Sequence, residues 1–434
     1  MNTALAIFSI IIVISLFFRF NRGVGIYLLY FFLVPLYFLY FGAFSVGTNL
    51  FELLILGIMV VWTSSRGGGI TKYNVSLFYP FLFLFFAQAV FIPFHFSEMP
   101  VIDQLNYFRV DVMSIFLPFV IVGVALKDKN SGSFFTAILY IAIVVSSIYT
   151  FYLLSSLGQN PYIDSLSELL YSYDEKNMDD VAEEGDRVFG YISSVYTHVT
   201  EYGVFLVFSS VFLLRQMTQN DSILPKVLYI LVLICMFVCG SRSVIMAEGV
   251  VILVFLFQQR QLRLFFGVLF LGLLLLVAVL EYMPSYFQFI SSIGDETLNG
   301  SSIQMRIRQL NGCFESIQGN PVFGNGYSWT GWYRNTVGIH PQMLSFESCL
   351  IQILCNNGLM GIFIWVVFVV MLIRSVRTHF AGNVEFMQTI SLMLFAYFSY
   401  TFFTGDYGTF YVMMVFYALI IANEYNTKQI KSVQ

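Results

Sequence analysis

Long apolar runs separated by short polar clusters set the pattern of this chain. The runs fall near 3–18, 24–42, 50–64, 74–93, 111–126, 133–154, 194–214, 224–240, 244–258, 262–280, 347–373, 385–403 and 406–423. Most reach the roughly 17–25 residues that a spanning helix needs, and they lack the strict alternation of barrel strands. The pattern predicts an all-α fold: a polytopic transmembrane helical bundle of about 12–13 spans, forming one integral membrane domain over residues 1–434. The run 3–18 has no basic stretch before it and no small-residue cleavage site before Arg19, so it reads as a retained span and not a signal peptide. Gly67-Gly68-Gly69 is followed by no Lys-Ser/Thr pair and reads as a turn, not a phosphate loop.

Two polar interruptions are too long to be connectors. The segment 155–193 is acidic, with Asp174, Glu175, Asp179, Asp180, Glu183, Glu184 and Asp186; it reads as a solvated loop or as a lid facing a glycan. The segment 281–346 precedes the last three spans and holds most of the candidate chemistry. Composition agrees with the membrane assignment. The chain is 58% hydrophobic and 11% charged, with a mean hydropathy of +0.79, against about 25% charged residues in soluble domains. No Lys/Arg-rich stretch suggests nucleic acid. The five cysteines lack metal-ligand spacing matched by nearby His, and Cys235 and Cys239, one helical turn apart, read as packing residues.

The basic residues sort by side. Arg19, Arg22, Arg66, Lys72, Lys127, Lys129, Arg215, Lys226, Arg260, Arg263, Arg374, Arg377, Lys428 and Lys431 fall into loops of one set, which the positive-inside rule makes cytoplasmic. The N-terminus is then outside, the C-terminus inside, and 155–193 and 281–346 are extracytoplasmic. The exceptions on the outer side are Arg109, Lys176, Arg187, Arg242, Arg306, Arg308 and Arg334. Nearly all are Arg, which grips phosphate bidentately, so they point to an outward site for an anionic, lipid-borne substrate.

Within the large outer loop, Ser302 to Ile317 predicts an amphipathic helix, with Ile303, Ile307, Leu310, Phe314 and Ile317 at three- and four-residue steps and Ser302 as N-cap. Arg306 lies at the edge of the apolar face, at headgroup level, while Arg308 points roughly the opposite way. Gly319-Asn320-Pro321 ends the helix. In Val322-Phe323-Gly324-Asn325-Gly326-Tyr327, two glycines around one Asn imply positive φ and close backbone approach. Trp329, Trp332 and Tyr333 form either an interfacial belt or a sugar-stacking platform. His340 and Glu347 follow. Elsewhere, Arg242 sits in the tight outer turn Gly240-Ser241-Arg242-Ser243, and Glu248 lies inside the next span, where a carboxylate needs a partner or a polar cavity.

Together, Ser241-Arg242-Ser243, Arg306, Asn320-Pro321-Val322-Phe323-Gly324-Asn325-Gly326, and the run Cys349–Cys355 closing on Asn357-Gly358-Leu359-Met360-Gly361 resemble the O-antigen polymerase and O-antigen ligase superfamily (Wzy-type polysaccharide polymerases) over about Gly240 to Gly361. The resemblance implies a glycosyltransferase without a cofactor, in a bacterial inner membrane, with its active site facing out. Its donor and acceptor are oligosaccharides on polyprenyl pyrophosphate, its surroundings membrane lipids, and a chain-length regulator protein a possible partner. Direct attack of a hydroxyl on the anomeric carbon predicts inversion. The first outer loop, Ala43 to Asn49, has no acid, with Glu52 alone beyond it, which predicts metal independence. Ligases of the family commonly carry a His near an Asn just before the span after the loop; here His340 is seven residues ahead of Glu347, which tilts the reading to polymerase. Arg242 and Arg306, helped by Arg308 and Arg187, are the expected pyrophosphate ligands. Glu347, then His340, is the expected general base, and Glu248 and Tyr327 are secondary candidates. A ligase moving glycan to lipid A-core or protein, or a flippase for a lipid-linked oligosaccharide, are the competing readings.

Overall fold

The computed structural model describes residues 2–34, 57–62, 68–95, 98–156, 160–163, 192–219, 221–270 and 303–431, apart from isolated positions within them. Among these, every regular element is helical. The acidic segment 155–193 with Arg187, the expected spans 50–64 and 262–280, and the expected N-cap Ser302 lie wholly or mostly outside the described residues.

The helices are α1 (Asn2–Phe18), α2 (Phe20–Leu33), α3 (Gly68–Ala89), α4 (Val101–Ser114), α5 (Phe116–Lys127), α6 (Ser131–Ser155), α7 (Val199–Gln219), α8 (Ile223–Val238), α9 (Arg242–Gln258), α10 (Ile303–Ser316), α11 (Trp329–Thr336), α12 (Cys349–His379), α13 (Val384–Thr404) and α14 (Thr409–Lys431). Among the described residues, five stretches are long and apolar enough to cross a membrane: Val75–Phe94, Val101–Lys127, Ser131–Ser155, Cys349–His379 and Val384–Thr404. Phe20–Leu33, Ile223–Val238, Ser243–Gln258 and Thr409–Tyr425 are shorter apolar helices. The chain is a multi-pass helical membrane protein, as the apolar runs predict. Two details differ. Gly68 and Gly69 lie in the first helical turn of α3 and not in a connecting turn, while Gly67 lies outside the described residues. The helix around Arg109 begins at Val101, ten residues ahead of the expected span, because Gln104, Tyr107 and Asp111 share one face and their polarity lowers the apparent hydropathy without ending the helix.

The chain divides into two compact units. The first comprises residues 1–75, 116–245 and 411–434. Its core carries Phe32, Phe205 and Phe416, with ring centroids 5.4 Å (Phe32–Phe205) and 5.6 Å (Phe32–Phe416) apart. Buried tyrosines keep their hydroxyls satisfied: Tyr196 donates to the Phe32 carbonyl at 2.6 Å, and Tyr202 pairs with Thr150 at 2.8 Å. The Arg215 guanidinium on α7 is buried against the Glu424 carboxylate on α14, which also accepts from Gln219.

The second unit comprises residues 76–115 and 246–410. Phe81, Trp365, Phe368, Tyr397 and Phe410 interlock at its centre, with Trp365 and Tyr397 stacked at 5.8 Å. A smaller core of Cys313, Trp329, Trp332, Met343, Phe346, Ile351, Leu354 and Cys355 binds α10 and α11 to the start of α12.

Removing one partner of a buried ion pair leaves an uncompensated charge. Glu424→Ala is expected to destabilise the chain by about 3–5 kcal/mol, read as a lowered thermal midpoint in detergent. Replacing both partners together by apolar residues of similar volume is expected to recover most of that loss.

Candidate active site in the second unit

The site is built around an interruption in α12. Gly358 has φ 59° and ψ −151°, so the helix breaks there inside an apolar stretch. A break leaves carbonyls before it and N–H groups after it without helical partners. The Asn320–Gly326 loop supplies both. Asn325 and Gly326 donate to the carbonyls of Cys355 (2.8 Å) and Asn356 (3.0 Å), and Leu359 and Met360 donate to the carbonyls of Pro321 and Val322, each at 3.0 Å. Two glycines make this exchange possible. A Cβ on Gly358 would stand 2.5 Å from the Pro321 oxygen, and one on Gly324 (φ 73°) would stand 2.6 Å from the Gly358 nitrogen. The Asn356 side chain accepts from Thr330 N–H at 2.8 Å, which seats α11 on the same break. The Asn320–Gly326 and Asn357–Gly361 motifs are therefore two halves of one backbone junction.

Around that junction, α10 docks through Gln309, Gly312 and Cys313, with Ile317 buried just past its end. Gln309 and Cys313 are fully buried, while Ile307, Leu310 and Phe314 are exposed. The expected helix is present; of its apolar row Ile307, Leu310 and Phe314 face away from the protein, Ile317 is buried, and the Ile303 side chain lies outside the described residues. Gly312 allows close approach to the 340–344 turn, where an added Cβ would meet the Gln342 side chain at 2.7 Å. Gln342 in turn donates to Glu315 at 2.7 Å.

Arg306 is the hub of this face. Its Nη1 donates to Gln309 Oε1 (2.9 Å) and the Glu347 carbonyl (2.7 Å); its Nη2 donates to the Phe403 carbonyl (3.1 Å) and pairs with Glu347 Oε2 (2.9 Å). One guanidinium thus ties α10 to the approach to α12 and to the end of α13. The Arg306 and Glu347 side chains keep 34% and 30% of their exposure, so the pair is open to exchange with solvent. Arg308 is exposed. The backbone leading to Glu347 is strained: Leu344 and Phe346 have φ of 49° and 56°, a region unfavourable for bulky residues.

His340 closes a tight turn with Leu344, their backbones exchanging both hydrogen bonds. Its Nδ1 accepts from the N–H groups of Gln342 (3.2 Å) and Met343 (3.1 Å). Backbone N–H groups only donate, so Nδ1 is unprotonated and the neutral ring carries its proton on Nε2. Burial pushes its pKa down, which keeps the ring neutral. In this conformation the His340 Nε2–H is a hydrogen-bond donor. Trp329 and Trp332 are buried in the small core, so neither forms a belt or an open stacking platform. Tyr333 and His340 keep partial exposure, with ring centroids 5.1 Å apart.

Four polar residues that sequence reasoning missed, His95, Gln104, Asp111 and Asp406, lie close by. Asp111 accepts from the Tyr327 hydroxyl at 2.8 Å, and Gln104 accepts from the Tyr327 N–H at 3.0 Å and meets His95 Nδ1 at 3.0 Å. Burial lowers the His95 pKa, against the Gln104 contact, and raises the Tyr327 hydroxyl well above its ordinary range. Asp406, in the turn after α13, accepts from the Tyr397 hydroxyl (2.7 Å) and Phe410 N–H (3.1 Å), and its N–H donates to Gln352 (2.6 Å). Burial pushes the Asp406 pKa up, and those donors pull it partly back. The i, i+3, i+7 spacing of Gln104, Tyr107 and Asp111 is the signal that marks α4 as part of the site. Glu248 is buried within α9, as expected of an intramembrane carboxylate. Arg242 is the first residue of α9 and belongs to the first unit; its side chain lies outside the described residues.

Gly358→Ala is expected to abolish folded protein, measured as detergent-soluble yield on size exclusion. Gly319→Ala, five residues before Gly324 with open space for a Cβ, is expected to leave that yield unchanged.

Residues 227–366 match the family model described as O-antigen ligase. That stretch contains α10, α11, the junction at Gly358 and the Arg306–Glu347 pair, and it encloses the Gly240–Gly361 resemblance read from the sequence. No curated protein matches the chain.

Proposed function

We propose that this chain, a multi-pass membrane protein carrying a segment of the O-antigen ligase family, is a polysaccharide polymerase. It moves a glycan from polyprenyl pyrophosphate to a sugar hydroxyl of another lipid-linked repeat unit at the outer face of the membrane. The observation that carries the reading is the Arg306–Glu347 pair, solvent-accessible on a helix whose Ile307, Leu310 and Phe314 row faces out of the protein. An apolar row beside an arginine suits a helix lying in the membrane interface, at the depth of a lipid-linked phosphate.

The pair suggests how donor binding and base activation are coupled. In the resting chain the Glu347 carboxylate is engaged by Arg306. A pyrophosphate carries more charge than one carboxylate and competes for the same guanidinium edge. When it takes the place of Glu347 Oε2, the Gln309, Glu347 and Phe403 oxygens still hold Arg306 in position. The displaced carboxylate is then free to accept the proton of the attacking hydroxyl. The bond from anomeric carbon to pyrophosphate oxygen breaks as the bond to the acceptor oxygen forms, with inversion, and Arg306 stabilises the departing charge. His340 Nε2–H and the exposed edge of Tyr333 are available to the sugar. Arg308 lies outside this exchange, so its role is secondary.

With purified chain and a lipid-linked repeat unit as sole substrate, products of two or more repeats are expected. A ligase would leave the single unit unextended until a separate acceptor is added. Glu347→Gln is expected to lower turnover about 10²–10⁴-fold while donor lipid still binds. Arg306→Ala is expected to lose donor binding, and Arg308→Ala to change both far less. Wild-type turnover by Glu347→Gln would remove it as the base. The wild-type rate is expected to persist in chelator, since the leaving charge is held by arginine.

A further inference from the structure

Two cysteines from different elements meet in the small core of the second unit. Cys313, on α10, and Cys355, on α12, are 42 residues apart in sequence, both 0% exposed, with their sulfurs 3.3 Å apart. Met343 Sδ lies 3.5 Å from Cys355 Sγ and completes a patch of three sulfurs. Of the other cysteines, Cys235 and Cys239 lie on and just after α8, and Cys349 begins α12. A sulfur–sulfur separation of 3.3 Å is tighter than ordinary thiol packing, and a shift of about 1.3 Å, within reach of small side-chain rotations, would bring it to a bonded length.

We propose that Cys313 and Cys355 are an oxidation site and join as a disulfide that staples the Arg306 helix to the interrupted α12. The inference rests on the outward placement of this loop in the function proposed above, because disulfides persist in oxidising compartments and not in a reducing cytosol. The Cys355 thiol donates toward Cys313 Sγ in the folded chain. Either thiol, once deprotonated, can open the exchange.

The oxidant is a protein or small molecule of the disulfide class. Opened from Cys313, the exchange begins as its thiolate attacks one sulfur of that disulfide, forming a mixed disulfide and releasing one thiolate. The Cys355 thiolate then attacks Cys313 Sγ and expels the second. Two thiols and one disulfide become one disulfide and two thiols; two electrons pass to the oxidant, and the two thiol protons end on its leaving sulfurs. Both cysteines are sealed in the folded chain, so exchange takes place before α10 seats, and the finished bond is shielded from reductants afterwards. The staple closes a loop containing Arg306's partners in the 340–347 segment, so it holds the two sides of the Arg306–Glu347 pair together.

The test is cysteine mapping on full-length chain purified from membranes without reductant. The protein is denatured in N-ethylmaleimide, digested, and compared by mass spectrometry before and after reduction. The expected result is a peptide pair joined through Cys313 and Cys355 that takes label only after reduction, while Cys235, Cys239 and Cys349 label directly. Direct labelling of both Cys313 and Cys355 overturns the proposal, including the case in which the three sulfurs hold a soft metal ion. A Gln318→Cys variant, probed in intact cells with a membrane-impermeant maleimide, separates the two ideas: labelling at Gln318→Cys with both native thiols free sinks the disulfide and spares the outward site. Cys313→Ala and the double replacement Cys313→Ala/Cys355→Ala are expected to lower the thermal midpoint by the same several degrees, since each removes the same bond. A clearly additive second loss would show two independent packing contacts and contradict the staple.

Discussion

An interrupted helix in an apolar setting must close its own backbone, and that constraint organises the second unit. Each unmatched N–H or C=O away from water costs as much as a lost hydrogen bond. The break at Gly358 is tolerated because the Asn320–Gly326 loop trades hydrogen bonds with both of its ends. The exchange needs two backbones in contact, which is why glycine stands on each side of it, at 324 and at 358. Once that junction is made, α10 before it and α11 after it have fixed positions, and the strained 344–346 backbone presents Glu347 to Arg306.

Arg306 extends the same logic from backbone to side chain. Its two terminal nitrogens reach oxygens from its own helix, from residue 347 and from residue 403. Three of these are neutral acceptors that fix the guanidinium without cancelling its charge, and one is a carboxylate that an anionic ligand can replace. A cation held this way is pre-organised for charge that develops on a leaving group. Gln309, buried beside it, is part of that support. Lysine at 306 would keep the charge and lose the fan of donors, because an ammonium has no planar fork.

The sequence made the membrane class, most of the apolar helices and the α10 helix legible, because each follows from a local period or from the reach of a helix. What it hid depends on the partner. Ile307, Leu310 and Phe314 announce an amphipathic helix, but a period does not say whether the apolar row meets protein or lipid; in a bilayer, tails are as apolar as a core. Here Gln309, Gly312 and Cys313 carry the protein contacts, and Ile307, Leu310 and Phe314 are left exposed. Trp329 and Trp332 read as surface aromatics by their polar neighbours and are buried because α11 folds back on α12. Asp111 and Asp406 were invisible as site residues because each is an isolated acid in sequence, and only the approach of Tyr327 and Tyr397 gives them a role. The Nδ1 contacts of His340 depend on a five-residue turn that no periodicity marks.

The family match covers the part of the chain where the junction, the arginine and the carboxylate coincide. The exchange of Glu347 for pyrophosphate on Arg306 is the central claim, and it is most directly tested by a density map of the chain with a polyprenyl pyrophosphate bound. The account expects phosphate oxygens within hydrogen-bond distance of Arg306 and the Glu347 carboxylate withdrawn from it. A map in which the lipid pyrophosphate is held elsewhere and the Arg306–Glu347 pair is intact would contradict it.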